Sequence, residues 1–184
     1  MLYKTLLHFT QLLNDHLKLS FKLTEDIAFL CPVKESGSVL PTNRMGISLV
    51  NIERETGNGI RFRHQSSENN YSHKTSPAWH LNIYVLISAI FAEKQYTESL
   101  QLLSGTLSFL QKKNLLDMQE SGLTFAIEPV NLSFHEQSNL WGILGGTYYP
   151  SILCKIRILT VDEQEIIDLS AIIGEPETIS KLKS

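Results

Sequence analysis

From Trp79 the chain alternates with a two-residue period. Trp79, Leu81, Ile83, Val85, Ile87 and Ala89 take one set of positions, and His80, Asn82, Tyr84, Leu86 and Ser88 take the other. Successive side chains of a strand point to opposite faces, so this run predicts an extended strand with one apolar and one mixed face. Such a face has to be covered by a second layer, which limits the chain to layered architectures. The cover follows at once. Tyr96, Leu100, Leu103, Leu107 and Leu110 recur at spacings of 4, 3, 4 and 3, predicting a helix over about 94–113. Lys112 and Lys113 suit the negative end of its dipole.

The remaining periodicities fill in the layers. Leu2, Leu6, Phe9, Leu13 and Leu17, at spacings of 4, 3, 4 and 4, predict a first amphipathic helix over 2–18. Strands are predicted at 27–31, stopped by Pro32, at 46–52, at 123–130 and at 152–161. Ser133 with Glu136 is a capping-box pattern that opens a short helix, which Gly145 and Gly146 end. Residues 32–44 read as a loop. Residues 55–77 form a long polar stretch, with a short edge strand predicted at 60–63, and a tail runs from about 162. The pattern predicts a single α+β domain over residues 1–184, with a mixed or antiparallel sheet and helices packed mainly on one face. The 55–77 stretch is expected to be mobile.

Composition matters chiefly for what it disfavours. Sixteen basic and 19 acidic residues give a net charge of −3, against a protein built to hold nucleic-acid phosphates. Arg54, Arg61, Arg63, His64, His73 and Lys74 make the polar stretch locally basic. It could dock an acidic partner, or be an ordinary solvated loop. The two cysteines, Cys31 and Cys154, are far apart and read as small buried hydrophobes. None of the six histidines has metal-site spacing, and no phosphate loop or GxSxG frame is present, so neither a metal nor a cofactor is expected. The N-terminus lacks the apolar core of a signal peptide, and no run spans a bilayer, so a cytoplasmic protein is expected.

Two stretches go beyond generic patterning. The first runs from Leu81 to Ala89 and continues through Tyr96 to Ser104 and Phe109-Leu110-Gln111. The second runs from Asn139 to Gly146, then Tyr148, Pro150-Ser151 and Lys155-Ile156-Arg157. Together with the 48–55 segment they resemble the N-terminal domain of the cap, or sheath-terminator, proteins of phage-tail-like contractile injection systems, the family of the Photorhabdus virulence cassettes and the antifeeding prophage. Cys154 departs from the family's usual aromatic, a conservative change for a buried strand.

The resemblance implies a structural subunit rather than an enzyme. It would form a ring, expected to be hexameric, on the last layer of inner tube and contractile sheath, ending polymerisation. Its partners would be the sheath and tube proteins. The alternatives are another tail component, such as a baseplate or tube-adaptor subunit, or a small-ligand-binding protein. Candidate interface residues are Trp141, which reads either as a core anchor or as a buried hot spot, together with Tyr148, Arg61 and Arg63.

Overall fold

The computed structural model describes residues 2–33, 43–55, 63–66, 71–75, 79–113, 115–118, 123–161 and 166–171. In chain order the elements are α1 (Leu2–Phe21), β1 (Ala28–Leu30), β2 (Arg44–Arg54), β3 (Arg63–Ser66), β4 (Tyr71–Thr75) and β5 (Trp79–Ile90). A 3-10 turn, Glu93–Gln95, leads into α2 (Tyr96–Lys112). Then come β6 (Leu115–Met118), β7 (Leu123–Pro129), α3 (Phe134–Ile143), β8 (Ser151–Val161) and β9 (Ile166–Ala171).

Two compact units emerge. Met1–Glu55 with His80–Thr160 form the larger one, and Thr56–Trp79 with Val161–Ser184 the smaller. The larger unit is the expected α+β arrangement. Its six-stranded sheet has the order β1-β2-β5-β8-β7-β6. β1 runs parallel to β2, whereas β2 with β5, β7 with β8 and β6 with β7 are antiparallel, so the sheet is mixed. The smaller unit holds a three-stranded antiparallel sheet, β3-β4-β9. The polar 55–77 stretch and the tail thus contribute strands that pair with one another. Of the short strand expected at 60–63, only Arg63 lies within the described residues, where it opens β3.

In the larger unit α1 and α2 cover one face of the sheet. Leu6, Phe9, Leu13 and Leu17 of α1 meet Ile83, Val85, Ile87 and Ala89 of β5, and Phe109 and Leu110 of α2 close the same core. Phe9 and Phe109 touch with ring centroids 6.1 Å apart. The stripe read for α1 is the buried one.

The stripe read for α2 is buried only at Leu103 and Leu110. Tyr96, Leu100 and Leu107 are exposed, and the buried side runs through Ser99, Leu102, Leu103, Thr106, Phe109 and Leu110. The helix is rotated from the purely apolar reading because two hydroxyls are satisfied inside it. Ser99 Oγ donates to the Tyr96 carbonyl at 2.6 Å, and Thr106 Oγ1 to the Leu102 carbonyl at 2.9 Å. A buried hydroxyl bonded to its own helix carries little desolvation cost, so Ser and Thr can face the core.

Asn14 is a second polar residue that is buried. Its Oδ1 accepts from the Ile27 and Ala28 N–H groups at 3.0 and 2.8 Å, and its Nδ2 donates to the Ala28 carbonyl at 2.9 Å. It thereby holds the three-residue edge strand β1 against α1.

Candidate functional site

Among the described residues of the larger unit, α3 covers part of the opposite face of the six-stranded sheet. Ser133 caps this helix as predicted: its Oγ accepts from the Glu136 N–H, and Glu136 Oε2 accepts from the Ser133 N–H at 2.8 Å. Trp141 is the one buried residue of α3. It packs on Leu86 of β5 and on Val33. The rings of Tyr148 and Tyr149 stand edge-on to it, with centroids 5.5 and 6.0 Å away.

The helix stops at Gly145 and Gly146, whose φ values of 111° and 79° are left-handed and suited to glycine. The Gly146 N–H returns to the Trp141 carbonyl at 2.7 Å. The chain then doubles back, and the Pro150 carbonyl accepts from the Ala89 N–H at 2.9 Å as β8 begins. The second stretch singled out in the sequence is therefore one folded device that lays a tryptophan on the sheet.

Beyond α3 the same face carries a row of charged and hydroxyl groups from four strands. On β2, Glu53 Oε1 accepts from Asn51 Nδ2 at 3.2 Å, and its Oε2 accepts from the Tyr84 hydroxyl of β5 at 2.9 Å. On β7, Glu128 Oε1 takes both Lys155 Nζ at 2.9 Å and Arg157 Nη2 at 3.1 Å from β8. The bond from Lys155 holds the Glu128 carboxyl below its usual 4.5. The Glu53 carboxylate, by accepting the phenol's hydrogen bond, raises Tyr84 above its usual 10.0; nearby Lys155 and Arg157 work against that rise. Glu128 therefore stays ionised and Tyr84 neutral through the neutral pH range.

A third feature lies at the sheet edge. β1 covers β2 only at Met45–Ile47. Among the described residues no strand pairs with the outer side of β2 from Ser48 to Glu53, and Leu49 and Ile52 are each 44% exposed there. A groove of about 580 Å³ runs beside this edge, with Leu30, Pro32, Val33, Leu49, Ile143 and Leu144 among its lining residues.

Of the four candidate interface residues, the fold brings two together: Trp141 is 4% exposed and Tyr148, against it, 58%. Arg63 begins β3 in the smaller unit, and Arg61 lies outside the described residues. Glu53, Tyr84, Glu128, Lys155 and Arg157 were not singled out as a site. Their signal was the polar member at alternate positions, in Asn51/Glu53, Asn82/Tyr84 and Lys155/Arg157. It shows which face each residue takes but not which strands are neighbours. Among the described residues no group of three or more His, Cys, Asp or Glu could hold a metal ion. Neither cysteine forms a disulfide, and burial pushes the Cys154 thiol up to about 12. No described helix is long and apolar enough to cross a membrane.

The fold is shared with terminators of contractile injection systems. A cryo-EM structure of an extracellular contractile injection system, the PVC sheath/tube terminator in its extended state, superposes with a TM-score of 0.61 at 15% identity, over 96% of this chain and 65% of that one. The tube-terminating cap of the anti-feeding prophage superposes with a TM-score of 0.57 at 13% identity, over 95% of this chain and 58% of that one. The chain thus spans about two thirds or less of these structures, and at such identities the likeness is one of fold. The chain belongs to the family of the Pvc16 N-terminal domain, whose model matches residues 7–172. No curated protein matches it.

Proposed function

We propose that the chain is a non-enzymatic structural subunit that caps the distal end of the inner tube and contractile sheath of a phage-tail-like injection system and so ends polymerisation. Family membership over residues 7–172 carries the reading. The open edge of β2 supports it physically. A growing helical assembly presents the same unsatisfied surface at every step. A terminator must complement that surface once and present no copy of it beyond. An edge strand flanked by exposed apolar residues can take one added strand and give a defined register. In this reading the subunits form a hexameric ring in the cytoplasm, in contact with both sheath and tube.

Electron microscopy of particles assembled without this subunit tests the proposal. The tails are expected to lose length control, with a broad length distribution and frayed sheath ends. Tails of normal, uniform length would sink it.

The smaller unit adds a second expectation. The 55–77 stretch and the tail from 162, which pair through β3, β4 and β9, are proposed to gain further order on assembly, since a polar stretch such as 55–77 buries little apolar surface alone. Hydrogen exchange of the isolated subunit and of the capped particle checks this. Their amides should gain protection in the particle, and equal protection in both states would count against it.

A further inference from the structure

A strand added at the β2 edge would leave the charged row beyond α3 without a role. We infer that this row, with Arg157 and Lys155 as its anion-receiving pair, is a docking surface for a carboxylate-bearing segment of a neighbouring protein in the tail. The inference rests on the capping reading for the identity of that neighbour.

Four strands build the row, and its hydrogen-bonding capacity is unevenly spent. Both oxygens of Glu53 are engaged, one by Asn51 and one by Tyr84. The two cations of β8 share one oxygen of one carboxylate, Glu128. Among the described residues Arg157 donates through Nη2 alone, which leaves the rest of its planar fork for a ligand, and a guanidinium fork fits a carboxylate in bidentate fashion. Arg157 is 45% exposed at its side chain and Lys155 21%, so an incoming group can reach both. The spare capacity is therefore for an acceptor: at the β7–β8 end two cations share the one acid Glu128, while Glu53, at the β2–β5 end, is already engaged by Asn51 and Tyr84.

The position also fits. The register places Glu128 opposite Lys155 and Ala126 opposite Arg157, so the residue beside the guanidinium carries only a methyl group. On the β2 side the register sets Asn51 opposite Tyr84. A tyrosine and an arginine on a rigid sheet match the composition favoured at the centre of interfaces. A merely solvated surface would gain little from two cations converging on one half-exposed acid.

The test uses the full chain added to sheath–tube particles assembled without it, scored by the fraction of ends capped. Reversing both cations, Lys155→Glu with Arg157→Glu, is expected to lower apparent affinity by at least about tenfold while leaving the melting temperature within a few degrees. Wild-type capping should weaken as salt rises from about 50 to about 300 mM. The discriminating variant is Glu128→Gln. It frees both cations from their internal competitor, so binding should hold or tighten about two- to fivefold. A purely structural role for the cluster predicts the opposite sign.

Affinity of the reversed variant within about twofold of wild type, or a Glu128→Gln loss as large as that of the reversal, would overturn the inference. Failure of the wild-type chain to cap any end would overturn this surface and the capping reading together. Normal wild-type capping with an unaffected reversal overturns the surface alone.

Discussion

Replacing Trp141 with alanine is expected to destabilise the protein by about 3–5 kcal/mol, the range for emptying a buried aromatic site. Trp141 is the one buried residue on α3, so it is the helix's main attachment to the sheet, with partly buried Leu140 beside it. Its loss would leave a void against Leu86 and Val33 and remove the ring that Tyr148 and Tyr149 meet edge-on. The void cannot close easily, because Leu86 sits on a central strand fixed by neighbours on both sides. Urea denaturation measures the effect as a lower midpoint with an unchanged slope. Phe134→Ala is the control: it lies on the same helix but is 92% exposed, so the change should stay within about 0.5 kcal/mol. A Trp141→Ala loss below about 1 kcal/mol would show that α3 is held by something else.

Gly105→Leu should cost about 2–4 kcal/mol through overpacking between α1 and α2, a little beyond the usual range because the contact is already closed at Cβ. A Cβ at Gly105 would stand 2.5 Å from Phe21 Cε2 and 3.0 Å from Leu17 Cδ2. Leu17 is fully buried in the main core and has nowhere to go. Phe21, at the end of α1, is only partly buried and can swing away. Gly105→Ala is therefore expected to be close to neutral, the clash with Phe21 being offset by roughly 1 kcal/mol of better helix propensity. Thermal unfolding of the two variants separates these cases. Equal stability of Gly105→Leu and wild type would mean that the helices part without cost.

Gly105 also shows what kind of information the sequence lacks. In a helical pattern it reads as a mild defect, yet it lies against Leu17 and Phe21 of α1 with no room for a Cβ. The rotation of α2 has the same origin. Of the five apolar positions that make the stripe, 103 and 110 are buried, but 96, 100 and 107 face outward. Ser99 and Thr106 face inward because their hydroxyls are satisfied within the helix. Asn14 likewise reads as a polar surface residue and is buried at the β1 edge. The strands that escaped sequence reading, β4, β6 and β9, are four to six residues long, too short for a two-residue period to stand out.

What the chain determines locally was legible: the alternation of β5, the stripe of α1, the Ser133–Glu136 cap and the glycine stop after α3. Each depends on residues within a turn or two of one another, so a single stretch contains all the physics. The motif residues also carried the family, because Leu140-Trp141, the paired glycines and Pro150 make one local device. The charged row could be settled only by the tertiary structure. Glu53, Tyr84, Glu128, Lys155 and Arg157 come from four segments up to about a hundred residues apart. Alternation assigns each to a face. Which of them touch depends on the strand order β2-β5-β8-β7 and on the register of each pair, and those follow from long-range burial rather than from any one segment.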